Sequence, residues 1–303
     1  MEFKRLKLSN CKIDSKELDF FYVRRNRFQN LIDPYPIIVE KCKGVFNILY
    51  GFQKFLDYKE KSNNYIPAYI LAQIDLLKKI KIIIRYQRAQ RDLYLIEISK
   101  IISFLLHNGI EKETIATEIA DILGINRGYK VLDKYKKLVN IPDYIIDFLL
   151  PRTDSLKIWS KFVNRNEKIF KTLLEKGKPS LSELLEIENN LYELSRREAS
   201  GIDEISQSLQ LFRLLDEDNS LKRLRSRLKA KRYPLLTKTK KKINTQINKL
   251  DKPGNIELIP DKNLETKSFK LVANIKNIKD IKQFRQWLNQ ADLDQINKIL
   301  ESL

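Results

Sequence analysis

The sequence predicts an α+β protein, predominantly helical, and three observations carry that prediction. The first 85 residues hold short apolar runs bounded by glycine or polar residues, as strands are. From residue 86 to about 215 apolar residues recur at helical spacing. After residue 251 two strand-like runs precede two helix-like ones. The predicted order is a small α/β unit at 1–85, a helical domain at 86–215, a basic linker or helix at 216–250, and a small α/β module at 251–303.

In the first unit, Pro36-Ile37-Ile38-Val39 and Phe46-Asn47-Ile48-Leu49-Tyr50 read as strands. Gly51 opens a helix at Phe52-Gln53-Lys54-Phe55-Leu56-Asp57-Tyr58-Lys59. Asn63-Asn64 reads as a turn, and Ile66 to Leu71 as another strand. The result is a strand–glycine–helix junction. Its helix start presents free N–H groups and a positive dipole end, which suits an anion.

In the helical domain, Leu93, Ile96, Ile98, Ile101, Ile102 and Leu105 form one broad apolar face, and Gly109 ends that helix. Helices follow at Glu113 to Leu123, Asn126 to Leu138, and from Pro142-Asp143 to Leu150, where Pro151 stops the chain. Ser180-Leu181-Ser182-Glu183 is a capping box, opening a helix with Leu184, Leu185, Ile187, Leu191 and Leu194 on its apolar side. Gly201 breaks it.

Residues 113–138 have the pattern of a helix-turn-helix. Ala120 is small enough for a second helix to cross close by. Gly124 can take the positive φ of a sharp turn, and Asn126 can cap the next helix. Asn126, Arg127, Lys130 and Lys134 are then the candidate base-contacting residues of a helix that enters the major groove.

The charge balance agrees. The 303 residues carry 58 Lys plus Arg against 39 Asp plus Glu, a formal net charge of +19, and 43% of them are apolar. Such a chain has a sizeable core and seeks a polyanion. The charge is clustered: no acidic residue lies between Asn219 and Leu250. Leu221, Leu224 and Leu228 sit at helical spacing there, so part of the block is an amphipathic basic helix that Pro234 interrupts. Arg225, Lys229, Lys231, Arg232, Lys240 and Lys241 are its candidate phosphate contacts. The block lacks the interleaved Trp or Phe of a membrane-surface helix.

The tail opens with a Pro253-Gly254 turn. Strands follow at Asn255 to Ile259 and Phe269 to Ile275, then helices at Ile278 to Leu288 and Leu293 to Leu303, with Phe284, Trp287 and Leu288 on one face. A module this short has too small a core to stand alone, so it docks on the rest of the chain or on its own copy.

Other chemistries are poorly served. Cys11 and Cys42 form no CxxC pair, and His107, the only histidine, sits at a helix end, so no ordinary zinc site is expected. Two isolated thiols and the lack of a signal-peptide core at the N-terminus suit a cytoplasmic protein. No apolar run is long enough to cross a bilayer. A nuclease would want clustered carboxylates, and the N-terminal unit offers only Asp57 and Glu60 near the junction.

Taken in order, the parts resemble the ParB/KorB-like partition proteins. That family has a strand beginning Pro-Ile-hydrophobic-Val, then a strand ending in Gly-x-Arg-Arg-aromatic. These correspond to Pro36-Ile37-Ile38-Val39 and to Tyr50-Gly51-Phe52-Gln53-Lys54-Phe55. Ile66-Pro67, Ile96-Glu97, Ile119-Ala120 to Leu123-Gly124, and Ile141-Pro142 match later family positions. The likeness runs from about Leu31 to Phe148. It implies a ParB-like N-terminal fold, sequence-specific (centromere-like) DNA binding in plasmid or chromosome segregation, a C-terminal dimerisation module, a ParA-type ATPase partner, and CTP at the junction. The CTP residues it implies are Arg24, Arg25, Gly51, Gln53 and Lys54. The chain departs from the family where Gln53 and Lys54 replace two arginines, because neither offers the forked donor of Arg. It departs again where Lys130 takes a usual apolar position and Val131 supplies the apolar residue. A transcription regulator on the same scaffold, or a CTP-dependent clamp or nuclease-like enzyme, are the alternatives.

Overall fold

The computed structural model of the chain describes residues 1–13, 17–21, 35–217, 220–261, 264, 268–291 and 293–301. It is an α+β fold of two compact units, Met1–Asn166 and Glu167–Leu303.

The first unit contains β1 (Glu2–Lys7), β2 (Cys11–Lys12), β3 (Ile37–Cys42), β4 (Val45–Tyr50), α1 (Phe52–Glu60), β5 (Tyr65–Leu71) and α2 (Leu76–Arg88). Its helical part continues with α3 (Leu95–His107), α4 (Lys112–Thr114), α5 (Ala120–Leu123), α6 (Tyr129–Lys137), α7 (Asp143–Leu149) and α8 (Leu156–Trp159). The five strands lie in the order β1-β5-β3-β4-β2. β1 runs antiparallel to β5, β5 parallel to β3, β3 antiparallel to β4, and β4 parallel to β2.

β3 is central, and its Ile37, Ile38 and Val39 are all fully buried. Successive strand residues point to opposite faces. Ile37 and Val39 join Phe52 and Phe55 of α1 in one apolar cluster. Ile38 joins Ile83 of α2 in another. Helices therefore cover the sheet on both sides, which is why β3 opens on the apolar run Ile37-Ile38-Val39. Gly51, with φ +88°, turns the chain from β4 into α1. A Cβ there would stand 2.7 Å from Ile37 Cγ2, so both the backbone and the space demand glycine.

The boundary expected after residue 85 falls inside α2. Lys78, Lys79 and Lys81 interrupt the apolar run in the sequence, but they belong to an amphipathic helix that buries Ile80, Ile83 and Ile84. Lys79 also serves the core, donating to the buried Glu40 at 2.8 Å. The break between the two units, after Asn166, lies within the stretch 86–215 that periodicity alone reads as one domain.

The second unit contains α9 (Lys168–Thr172), α10 (Leu181–Glu198), α11 (Ile202–Ser208), α12 (Leu211–Leu214), α13 (Ser220–Arg232), α14 (Pro234–Lys249), β6 (Ile256–Pro260), β7 (Phe269–Ala273), α15 (Ile278–Gln290) and α16 (Leu293–Glu301). The capping box at Ser180 forms: its hydroxyl accepts from Glu183 N, and Glu183 accepts from Ser180 N at 3.0 Å. β6 and β7 make a two-stranded antiparallel sheet. Its core is shared with α14, because Ile243, Ile247 and Leu250 pack with Ile256, Leu258, Trp287 and Ile299. Residues 220–232 and 234–249, expected as a basic linker or helix, are helices packed within this unit. Phe284 and Trp287 face that core, whereas Leu288, expected beside them, is 47% exposed.

Candidate nucleic-acid interface

Residues 112–137 form two helical segments joined by a tight connection. The first runs from α4 through a π-helical turn at Ile115–Ile119 into α5. It buries Ile115, Ile119, Ala120 and Leu123. Gly124, at φ +73°, ends it. Gly124 N donates to Asp121 O at 3.1 Å and Ile125 N to Ala120 O at 3.0 Å, the paired bonds of a Schellman ending.

The next helix begins at Tyr129, not at Asn126, and Gly128 is the extended residue before it. Asn126 is therefore not its cap. Its Oδ1 accepts from Gly128 N at 2.9 Å, an Asx turn that shapes the connection instead. The later start also resolves the displaced apolar pattern, since Leu132 and Tyr135 of α6 and Leu138 beyond it are the buried residues. Ser99 Oγ of α3 donates to Tyr135 O at 2.6 Å, and Lys112 Nζ donates to Asp133 at 2.6 Å. α6 is thereby held from below and from the side.

The opposite side of α6 is open. Arg127, Tyr129, Lys130 and Lys134 are exposed. Lys130 and Lys134 stand one turn apart on the same face. Arg127 is paired: its Nε donates to Asp121 Oδ1 at 2.9 Å and its Nη2 to Asp121 Oδ2. The Arg127 hydrogen bond holds the Asp121 carboxyl below the usual carboxylate range, and Asp121 raises Arg127 in turn.

Two further cations that sequence reasoning missed lie beside α5. Arg85 and Arg88, in the last turn of α2, border an open recess of about 430 Å³ with Ala89, Asp121 and Ile122. Arg88 Nη1 also donates to Ile122 O at 2.9 Å, satisfying a carbonyl at the end of α5. Lys81 Nζ bonds Glu118 at 2.5 Å. The available signal was a basic last turn on a helix (Leu76–Arg88) that the sequence reading did not separate from the strands.

The basic block behaves differently. Leu224 and Leu228 bury α13 against α10, as their spacing requires. Its cations then meet a row of glutamates. Arg225 bonds Glu183 at 2.9 Å and Glu186 at 3.0 Å. Lys229 pairs with Glu186 at 2.8 Å, Lys231 with Glu198 at 3.2 Å, and Arg232 donates to Asn190 at 3.0 Å. Four of the six expected phosphate contacts are thus already engaged within the unit. The partners lie on α10, well upstream, so the segment looks unopposed when read alone. Lys240 also has a partner, while Lys241 is exposed beside an open groove that Arg223 and Arg227 line.

At the strand–glycine–helix junction, Gly51 stands immediately before α1 with φ +88°. Lys54 is buried, and its Nζ donates to Tyr35 O instead of pointing outward. Gln53 is exposed and bonds Asp57 at 2.8 Å along the helix. Arg24 and Arg25 lie outside the described residues. Among the described residues no three His, Cys, Asp or Glu side chains gather as they would around a metal ion, and no helix is long and apolar enough to cross a membrane. Burial pushes the Cys11 thiol up to about 11.

No protein-family profile matches the sequence, and no curated protein matches it. Among solved structures, similarity is found to the C-terminally truncated chromosome-partitioning protein ParB from Caulobacter crescentus complexed to the centromeric parS site. That match has 15% identity and a TM-score of 0.34, and covers 60% of this chain and 96% of that one. The same protein complexed with CTP-gamma-S matches at 15% identity and a TM-score of 0.26, covering 53% of this chain and 93% of that one.

Proposed function

We propose that this chain binds double-stranded DNA through residues 112–137, with α6 as the helix that enters the major groove. One observation carries the reading: α6 is split lengthwise. Leu132 and Tyr135 are buried on one side, and Tyr129, Lys130 and Lys134 stand exposed on the other, with Arg127 exposed just before the helix. A helix held this way offers donors to base edges and phosphates from a rigid support. Arg85 and Arg88 enlarge the positive face and suit phosphates flanking the groove. The formal net charge of +19 adds long-range attraction to a polyanion.

The ordered match of the sequence to the ParB/KorB-like proteins narrows the proposal. The target is a centromere-like site, the chain works as a homodimer in plasmid or chromosome segregation, and a ParA-type ATPase is its partner. Fluorescence anisotropy with random and genomic duplexes tests the first part. Neutralising about six phosphates lowers affinity on the order of a thousandfold between 50 and 200 mM salt. Absent or salt-insensitive binding refutes it. Chromatin immunoprecipitation tests the second part: one sharp peak supports segregation, and peaks scattered over promoters support a transcription regulator.

A further inference from the structure

Resting on the DNA-binding reading, we infer that Asp121 is a positioning residue that aims Arg127 at a guanine in the bound duplex.

A guanidinium carries five N–H donors in one plane. Asp121 uses one edge of it, through Nε to Oδ1 at 2.9 Å and Nη2 to Oδ2. The edge formed by Nη1 and the second Nη2 hydrogen remains. That edge presents two parallel donors, the pattern that guanine O6 and N7 accept in the major groove. Asp121 therefore leaves intact the part of Arg127 that discriminates bases, and removes the freedom of a long side chain to reach elsewhere.

The mounting on both sides of this pair is built. Asp121 belongs to α5, whose end is closed by Gly124 N to Asp121 O and by Arg88 Nη1 to Ile122 O. Arg127 lies two residues before α6, in a connection shaped by Asn126 Oδ1 and Gly128 N. The N-terminal end of a groove-entering helix is where base edges are met. Both side chains are 61% exposed, so the free edge of Arg127 is open to a ligand. A carboxylate on the DNA-facing surface repels phosphates, and its presence there makes sense as a brace for the arginine it grips.

The test is selection from a randomised duplex library with the full chain, comparing the wild type with D121A, D121N and R127A. The wild type should select a motif with a guanine that R127A no longer selects. D121A should keep the rest of the motif and lose about tenfold of the preference at that one position. D121N, which keeps one acceptor oxygen, should fall between them. Affinity for random duplex should be unchanged or higher in D121A, because one negative charge is gone, and its melting temperature should match the wild type. A merely structural role would move the melting temperature and leave the base preference alone. If D121A selects the same guanine as strongly as the wild type, or binds tighter with preferences intact, the inference fails while DNA binding stands. A wild type that binds no duplex at 50 mM salt overturns the function itself.

Discussion

α6 and α13 are both short, basic helices, yet they present their charge in opposite ways. α6 follows a connection in which Asp121 takes Arg127, and Asp133 of α6 itself is taken by Lys112, so Lys130 and Lys134 face outward. α13 lies along α10, and Arg225, Lys229 and Lys231 are met by Glu183, Glu186 and Glu198. A run of cations in a sequence therefore reports charge, not availability. What decides availability is the helix on which the apolar stripe docks.

The two helices rest on one kind of anchor. Leu132 and Leu228 are the fully buried anchors of the two helices. Truncating either to alanine should cost about 2–5 kcal/mol, read from denaturant unfolding. L132A should also abolish duplex binding, while L228A protein that remains folded should bind nearly as the wild type does. Equal losses of binding would erase the distinction between the helices.

Exchanging the charges sharpens it. R225A removes a half-buried guanidinium shared by two carboxylates. It should lower stability by about 1 kcal/mol and leave DNA affinity unchanged. K130A and K134A should do the reverse: each weakens binding to all duplexes a few-fold and reduces the salt slope by about one, with unfolding unaffected. If R225A weakens binding as much as K130A does, α13 grips phosphate as well.

Acid gives the smallest and most local effect. The Ser180 backbone and hydroxyl, then Arg225, hold Glu183 below its ordinary value of 4.5. Burial pushes Glu186 up, but hydrogen bonds from Lys229 and Arg225 outweigh it and leave it lowered. Arg197, then Lys231, lower Glu198. Folded values below unfolded ones mean that this stabilisation is complete above about pH 4.5 and is lost as pH falls through the lower folded values. Hydrogen exchange should show α13 losing protection in that window, because the glutamates that lose their charge there are the partners of its own cations.

Much of this arrangement was legible in the residues. The stop at Gly124, the buried Ile119, Ala120 and Leu123, the capping box at Ser180, and the apolar run of β3 all follow from local chemistry. What escaped was nonlocal or a matter of phase. β1 is ordered by pairing with β5, far along the chain, and its own residues are mostly exposed. The glutamates of α10 cannot be assigned to α13 without the fold. Asn126 suits both a helix cap and an Asx turn, and only the start at Tyr129 decides between them. Lys54 carries the same charge whether it points to solvent or to Tyr35 O.

The bond from Arg88 Nη1 to Ile122 O has a practical corollary for anyone dissecting the molecule. A fragment cut at the sequence boundary after residue 85 would begin in the last turn of its own supporting helix and leave behind Ile80, Ile83 and Ile84, which seat that helix. The smallest piece able to keep residues 112–137 on their full support starts upstream of Leu76.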